Sequence, residues 1–383
     1  GHHALDVVLD DAQEAHEQRG DGADHEDERQ RGVAQFVDGR HARHHEDAGR
    51  HHGGGVDQGG DGGRAFHRVG QPHVQRELRA LAHGADEQAD ADHGHQHPVG
   101  AGEGHLGQLA GLGEGLGVVQ GAGVGADQAD AQGAGAGMGV DSGLPDFRGT
   151  AGFWQAYPAF GKARIDFTEI ANPQAFRSDP ELAWGFYGHR LNLYRETIPH
   201  EGFNILRRWA SEKPHGAFVF TSNVDGQFQK AGFSERQIHE CHGSIHWLQC
   251  MDSVCGEVWS AADFEPVVDA EACRLVSPLP RCPACGSLAR PNILMFGDGH
   301  WVSDRYDAQD AACTAWLRSV KNPVVIELGA GTAVPSVRFF GEYQGVPMIR
   351  INVREAESTM GNCVSLPLGA LEALQAMDVV LTA

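Results

Sequence analysis

Residues 126–149 have the sequence ADQADAQGAGAGMGVDSGLPDFRG, and its two halves predict different things. The glycines followed by an acid and an arginine are typical of a nucleotide-binding loop. Such a loop normally follows a buried parallel strand, which is a short run of Val, Ile or Leu. Residues 126–132 are instead only Ala, Asp and Gln, so the sequence predicts a cofactor loop without a preceding strand that could line a core.

The chain of 383 residues has two unlike parts, which meet at about Gln132–Gly133. Residues 1–132 hold 24 Asp and Glu against 10 Arg and no Lys, whereas all eight Cys and every Trp and Tyr follow position 132. With so little apolar content to offset chain entropy, the first part is not expected to fold alone. A sizeable core is expected only in residues 133–383.

The first part also uses a restricted alphabet. Apart from Phe36 and Phe66, it is built from ten residue types whose codons can all begin with G or C. We interpret it as a gene read in the wrong frame upstream of about Gly133, or as disordered low-complexity sequence. Its 16 His leave metal binding as an alternative. Because the loop would then lack its first strand, weak binding of a nucleotide or poor folding is expected.

The composition argues against several classes of function. A net charge of −22 does not suit nonspecific nucleic-acid binding, which needs clustered positive charge. No apolar run approaches the roughly 20 residues of a membrane span. The first residues lack the basic start and apolar middle of a signal peptide. Cysteines at metal-ligand spacing without an export signal predict the reducing cytoplasm, whereas the oligomeric state has no sequence signal.

Strand-like and helix-like segments alternate in the second part. Residues 216–223 (GAFVFTSN), 323–331 (PVVIELGAG) and 347–352 (PMIRIN) are short apolar runs that end in polar or glycine residues. Residues 179–198 and 368–377 carry apolar residues at helical spacing. The alternation predicts an α/β fold with a doubly wound parallel sheet, in which ligands bind at the carboxyl ends of the strands.

Four cysteines interrupt this alternation, within an inserted module that spans about residues 246–298. Cys250 and Cys255 form one close pair, and Cys282 and Cys285 form a second pair in a Cys-Pro-Ala-Cys knuckle. Two such pairs are typical of a tetrahedral zinc site, and four thiolates leave no open position, so the metal would be structural. Four unrelated buried thiols are the alternative.

Residues 133–383 contain, in order, GAGMGVDSGLPDFRG, TSNVDGQFQKAG, HGSIHWLQC, the two cysteine pairs, RPNILMFGD and GAGTAVPSVR. In order and spacing these motifs resemble those of the bacterial-type sirtuins, which are NAD-dependent protein-lysine deacylases. The resemblance implies a Rossmann-like sheet with an inserted zinc ribbon and a helical module at the cofactor loop. It also implies NAD and structural Zn²⁺, with acylated-lysine proteins or peptides as substrates.

The resemblance further implies which residues form the site. Asn223, Asp225 and His242 match the catalytic positions, and His242 matches the general base that activates a ribose hydroxyl, a task that suits a neutral imidazole. Phe296 and Gly297 match positions beside the substrate peptide. The implied NAD-binding positions, where glycine amides would donate to the pyrophosphate, are Gly135, Ala136, Gly137, Asp146, Phe147, Arg148, Ser222, Gly329, Ala330, Gly331 and Asn352.

Tyr187 and Arg190 are spaced to lie on one face of a helix. Sirtuins that remove succinyl or malonyl groups carry a Tyr-x-x-Arg whose side chains hold the acyl carboxylate, and the arginine fork can bind a carboxylate through two hydrogen bonds. An amphipathic helix with a surface arginine is the alternative. Gly139, Ser222 and residues 329–331 depart from the commoner sirtuin residues and remove polar contacts to NAD.

The reaction that the resemblance implies consumes NAD. The acyl oxygen of a modified lysine attacks C1′ of the ribose and nicotinamide leaves, after which a ribose hydroxyl attacks the acyl carbon. Water then releases lysine and O-acyl-ADP-ribose. Two alternatives are a mono-ADP-ribosyltransferase or NAD glycohydrolase that uses the same cleft, and a noncatalytic module that binds NAD or ADP-ribose.

Overall fold

The computed structural model describes residues 128–146 and 149–382. Our interpretation of residues 1–127 and the predicted NAD-binding positions Phe147 and Arg148 lie outside the described residues. The described helices are α1 (Gly137–Val140), α2 (Gly149–Ala156), α3 (Pro158–Ala163), α4 (Phe167–Ile170), α5 (Pro173–Ser178), α6 (Pro180–Glu196), α7 (Glu201–Ser211), α8 (Gln227–Lys230), α9 (Asp304–Ser319), α10 (Ser336–Tyr343) and α11 (Ala370–Leu381).

Six strands form one parallel sheet in the order β11-β10-β9-β1-β2-β3. The predicted doubly wound α/β fold is therefore confirmed, with the predicted apolar runs in β2, β9 and β10. The described strands are β1 (Gln128–Ala134), β2 (Ala217–Thr221), β3 (Ile238–Glu240), β4 (Gly243–Cys250), β5 (Val258–Ser260), β6 (Val268–Asp269), β7 (Arg274–Leu275), β8 (Ala289–Ile293), β9 (Asn322–Leu328), β10 (Met348–Ile351) and β11 (Cys363–Leu366).

The strand order reverses between β1 and β9. The chain adds β2 and β3 on one side of β1, and it adds β10 and β11 beyond β9 on the other side. In a doubly wound sheet, ligands bind in the crevice at such a reversal, outside the carboxyl ends of the strands. Residues 135–137 follow β1 and residues 329–331 follow β9, so both loops border this crevice.

Within the described residues, 128–132, strand β1 contradicts the prediction that this stretch cannot line a core. Its main chain pairs with β2 on one side and with β9 on the other, from Gln128 opposite Asn322 to Ala134 opposite Leu328. Six of its seven residues are buried, and the predicted boundary at 132–133 falls inside the strand. Backbone hydrogen bonds to two neighbours, with small alanine side chains between them, hold the strand in place of apolar side chains.

Burial of the Asp130 and Gln132 side chains in this strand costs free energy of folding. By strand alternation they face the same side of the sheet as Ala134, which packs in an apolar cluster with Leu206. Both residues are buried, and within residues 128–146 and 149–382 neither Asp130 Oδ2 nor Gln132 Oε1 has a hydrogen-bond partner. Burial raises the pKa of Asp130 to about 6, although the charge of Lys213 opposes this shift.

Helices cover both faces of the parallel sheet. On one face, α7 presents Phe203 and Leu206 one turn apart, and Leu374 and Met377 of α11 join the same apolar cluster. On the other face, α10 packs over β1 and β9 and α9 packs over β2 and β3, and the ring of Phe340 stacks on a strand residue, Phe220, at a centroid distance of 4.1 Å. The sheet is therefore shielded on both sides, as a parallel sheet requires.

Two smaller units interrupt the parallel sheet. Helices α2–α6 lie between β1 and β2 in sequence, and the antiparallel sheet β5-β4-β8 lies between β3 and β9. They share an apolar cluster that includes Phe186 and Ile245, and Trp184 Nε1 donates to the carbonyl of Ala289 at 2.9 Å. In the part of the chain that the structure describes, no helix is long and apolar enough to cross a bilayer.

We expect Asp130→Val to raise the free energy of unfolding at pH 7.5 by roughly 3 kcal/mol, the equivalent of a pKa shift of about two units. The raised pKa means that the stability present below the unfolded-state value is lost as the pH rises through about 6. The gain should therefore be much smaller at pH 4.5. Urea unfolding at the two pH values measures it, with the exposed Asp263→Val as control. An equal gain at both pH values would contradict this prediction.

Candidate active site

Two glycine loops meet at the reversal of the strand order. Gly135 N donates to Leu328 O at 2.9 Å, and Gly137 N donates to Gly329 O at 3.0 Å. A Cβ on Gly137 would lie 2.7 Å from Gly329 Cα, and Gly329 itself has φ +58°, so the loops pack backbone against backbone. This differs from the expectation that both amides donate to phosphate oxygens, because each amide already has a carbonyl partner.

Two side chains bind the second glycine loop, residues 329–331. The carbonyl of Ala330 accepts hydrogen bonds from Arg338 Nε at 3.1 Å and from Asn352 Nδ2 at 2.8 Å. Asn352 was predicted to line the adenine side and is buried. Gly331 is more open, since a Cβ there would meet only the Glu355 carboxylate, at 3.6 Å.

Asn223 joins the first loop to the end of β2. Its Nδ2 donates to Gly135 O at 2.9 Å, and its main-chain nitrogen donates to Thr221 Oγ1 at 3.0 Å. Ser222 N donates to Ala134 O at 3.1 Å. The predicted catalytic amide is thus fixed against the predicted cofactor loop, with its oxygen left for another contact.

Asp225 lies in the turn that follows β2, with its carboxylate buried. Oδ1 accepts a hydrogen bond from Gln227 N at 2.9 Å, and the carbonyl of Asp225 is 2.9 Å from His246 Nε2. Burial raises the pKa of Asp225 to about 6, although the Gln227 amide and the charge of Arg190 lower it. A carboxyl with this pKa changes charge close to neutral pH.

His242 lies between β3 and β4 and is half-buried. Its Nε2 is 3.1 Å from Ser336 Oγ, and its carbonyl accepts a hydrogen bond from Leu294 N at 2.9 Å. Burial lowers the pKa of His242 to about 4, although a hydrogen bond to the carbonyl of Ser222 raises it. The imidazole is therefore neutral at pH 7, as its predicted role requires.

Phe296 and Gly297 lie just beyond β8, in a loop with two anchors. Phe296 N donates to Ala171 O at 3.0 Å, and Gly297 has φ +65°. The loop is closed by a buried ion pair in which Arg290 and Asp298 lie 2.6 Å apart. Leu294 N also donates to the carbonyl of His242, so this loop is joined to the main chain of the predicted base.

Tyr187 and Arg190 share the buried face of α6, so the alternative of a surface arginine is wrong. Arg190 donates to the hydroxyl of Tyr194 from Nε at 2.9 Å and from a terminal nitrogen at 2.7 Å. Its guanidinium lies 5.2 Å from the ring centroid of Phe186 and 5.7 Å from that of Tyr187. Gln227, which bonds Asp225, also donates to Tyr194 O, so this arginine neighbours the predicted catalytic carboxylate.

The four predicted zinc ligands converge. Sγ atoms of Cys250, Cys255, Cys282 and Cys285 all lie within 4.8 Å of one another, with 3.5 Å between Cys250 and Cys285. Zinc–sulfur distances of about 2.3 Å in a tetrahedron place sulfurs about 3.8 Å apart, so the cluster fits zinc. The alternative of four unrelated thiols is not supported.

Several contacts of the site were missed in the sequence. Tyr194 follows Arg190 by four positions, and helical spacing could have found it. Thr221 directly precedes the Ser-Asn pair. Ser336 and Arg338 lie in the quoted motif GAGTAVPSVR, but the sequence assigned them no contact, because only the fold brings them to His242 and to the carbonyl of Ala330. Asp146, at the end of the described part of the first loop, is half-buried and lies 3.7 Å from Arg354.

The chain resembles known proteins along most of this region. The Sir2 family model matches residues 135–315. An NAD-dependent protein deacylase of Aquifex aeolicus is 31% identical over 230 residues, which are 58% of this chain and 82% of that relative. A deacylase of the same name from Pyrococcus furiosus is 30% identical, with 58% of this chain and 81% of that relative covered.

Sirtuin-5 of Danio rerio, a mitochondrial NAD-dependent protein deacylase, is 32% identical over 179 residues, which cover 42% of this chain and 54% of that protein. Among solved structures, a Sir2 homolog–NAD complex superposes with a TM-score of 0.51 at 25% identity. The match covers 76% of this chain and 97% of that chain.

Gly137→Ala is expected to lower the thermal midpoint by roughly 5 °C, because the new Cβ collides with backbone that cannot move aside. Calorimetry measures the midpoint. Gly152→Ala is the matched control, since it adds the same methyl to helix α2 with nothing within 4 Å, where alanine favours the helix. Equal midpoints for the two variants would show that the loops do not depend on this contact.

Proposed function

The chain belongs to the Sir2 family, and we propose that it removes acyl groups from lysine side chains of proteins, with NAD as the consumed co-substrate. The products would be nicotinamide, O-acyl-ADP-ribose and free lysine. One observation carries the proposal: Asn223 bonds the glycine loop at Gly135, and His242, with its neutral imidazole, lies beside Ser222 at the same edge of the sheet.

The crevice at the strand reversal suits a dinucleotide. The two glycine loops, which pack against each other at this reversal, present few side chains outside the carboxyl ends of the strands, and Gly331 leaves space beside Glu355. NAD supplies the ribose carbon that accepts the acyl oxygen. We assign the pyrophosphate side to residues 135–137 and the ribose-adenine side to residues 329–331 with Asn352, while Asp146 and Ser222 would lie toward the nicotinamide end.

His242 is the proposed general base. Its uncharged imidazole can accept the proton of a ribose hydroxyl as that hydroxyl attacks the acyl carbon. We assign Asn223 to orientation of the nicotinamide ribose, because its amide nitrogen is bound to Gly135 of the proposed cofactor loop. Asp225, which is held by Gln227, would place a carboxylate beside the same sugar.

The substrate peptide is proposed to enter along residues 294–297. Segments of this kind bind extended peptides by adding a strand, with main-chain hydrogen bonds that are independent of sequence. Phe296 would cover the acyl-lysine, and Gly297 would leave room for the peptide backbone. Zinc, held by the four cysteines, would have only a structural role in the inserted module of about residues 246–298, because no coordination position is open.

The two alternatives are less favoured. An ADP-ribosyltransferase or NAD glycohydrolase would share the first bond-breaking step, but the relatives at 30% identity or more are named protein deacylases. A noncatalytic binding module would not need Asn223, Asp225 and a neutral His242 at one edge. A cytoplasmic location remains our proposal from the cysteine pattern alone.

Incubation with NAD and acyl-lysine peptides, followed by mass spectrometry, tests the function. We expect O-acyl-ADP-ribose and free lysine peptide, and we expect His242→Asn to reduce their formation at least 100-fold through loss of the base. His215→Asn, at the opposite end of β2, is the control. ADP-ribosylated protein or free ADP-ribose as the main product would instead support an alternative.

Acyl groups that end in a carboxylate are the proposed preferred substrates, because Arg190 offers a buried cation beside Tyr187. Arg190→Met should reduce kcat/KM for succinyl-lysine peptides by about 10- to 100-fold, the range of a hydrogen bond to a charged group. Acetyl-lysine turnover should change less than about threefold. Arg177→Met, which removes an exposed arginine from α5, is the control. Parallel losses for both acyl groups would contradict the proposal.

A further inference from the structure

Ser336 is the first residue of α10, and its hydroxyl oxygen lies 3.1 Å from His242 Nε2. This helix begins directly after the second glycine loop. One turn into it, Arg338 binds the carbonyl of Ala330 in that loop. The first turn of α10 therefore contacts both the proposed base and the proposed cofactor loop.

The direction of the Ser336 hydrogen bond follows from the other partner of the imidazole. The carbonyl of Ser222 can only accept, so the ring nitrogen that faces it must carry a proton. Nε2 is engaged by Ser336, which leaves Nδ1 for the carbonyl. In a neutral imidazole the second nitrogen then bears a lone pair, and the Ser336 hydroxyl donates to it.

We propose that Ser336 is a positioning residue for His242. Its hydroxyl holds the imidazole in the Nδ1–H form, with the Nε2 lone pair directed at the cofactor loop. When substrate binds, a ribose hydroxyl replaces the Ser336 hydroxyl as the donor to Nε2. This inference rests on the proposed function of His242. The exchange is balanced, because one hydroxyl donor leaves Nε2 as another arrives. The proton moves to Nε2 only when the ribose hydroxyl attacks.

The electrostatic surroundings of His242 allow a clean test. His239 on β3 is the titratable side chain that interacts with it through charge, and burial lowers the pKa of His239 to about 4. Burial raises the pKa of the adjacent Cys241 thiol. Cys241 is thus uncharged throughout the assay range, about pH 3.5 to 8, and the titration of His239 near pH 4 is common to the parent and the Ser336 variants.

Loss of the Ser336 hydroxyl removes a donor that stabilises the neutral imidazole, so the pKa of His242 should rise. In Ser336→Ala, the acid limb of the kcat/KM profile for O-acyl-ADP-ribose formation, which reports the enzyme before a ribose hydroxyl replaces Ser336, should move up by about 0.5 to 1 pH unit, and kcat/KM at pH 7.5 should fall about fivefold. Nicotinamide exchange, which precedes the base-dependent step, should change less than about twofold, and KM for NAD should stay similar.

Three further variants complete the test. Ser336→Cys keeps the side-chain size with a weaker donor and should shift the limb as Ser336→Ala does, whereas Ser336→Thr should restore the parent profile. Ser319→Ala, which removes a hydroxyl at the end of α9, should change nothing. An acid limb that stays within about 0.2 pH unit in both Ser336→Ala and Ser336→Cys would overturn the proposal.

A measurement without turnover separates this inference from the proposed function. Nuclear magnetic resonance of the full chain with labelled histidine, assigned by comparison with His242→Asn, gives the pKa of His242 directly. A higher pKa in Ser336→Ala than in the parent supports the hydrogen bond even if no acyl product forms. An unchanged pKa refutes it even if the parent is a deacylase.

Discussion

The structure depends on one strand that lies between two others. β1 pairs with β9 along its whole length and with β2 from Asp130 to Ala134, and its carboxyl end places the first glycine loop beside the second. Apart from Asp146, which lies beyond α1, the predicted NAD contacts that the structure describes directly follow these three strands or β10. If β1 were absent, Asn223 would lose its partner at Gly135, and Gly329 would have no loop to pack against.

This strand also places polar side chains where the fold requires apolar ones. A buried carboxyl at Asp130 and a buried amide at Gln132 face an apolar layer, where unpaired polar atoms cost about 1–3 kcal/mol each. The strand forms despite this cost, because the backbone N–H and C=O groups of β2 and β9 would otherwise lose their partners on β1, which would cost more free energy. The conflict agrees with our proposal that residues before about Gly133 belong to another reading frame, since it ends where the glycines begin.

Much of the fold was predictable from local patterns. β2, β9 and β10 are apolar runs followed by polar residues, and Asp179 caps α6 as its position before Pro180 suggests. β1 was not predictable, because its place is set by the strands on either side and not by its own side chains. For the same reason, Ser336 and Arg338 escaped detection: their partners are brought close by the fold alone.

The predicted site residues differ in how far the sequence predicted their contacts. The cysteines and the motif residues converge because each motif ends a strand or turn of known geometry. The role of the glycines changed, since Gly135 and Gly137 give their amides to the neighbouring loop and their missing side chains to its backbone. Sequence patterns identify such residues, whereas only the fold shows which surface each one meets.

Because Arg190 lies on α6, the acyl preference of the site and its chemistry depend on different parts of the fold. The proposed base is fixed by β3, β4 and β8 through backbone bonds such as that from Leu294 to His242, which side-chain changes cannot remove. The arginine instead belongs to a helical insertion, whose aromatic side chains pack in a cluster that the insertion shares with β4 and β8. Acyl preference can therefore diverge in evolution through substitutions in the insertion, while the chemistry remains under the control of the sheet.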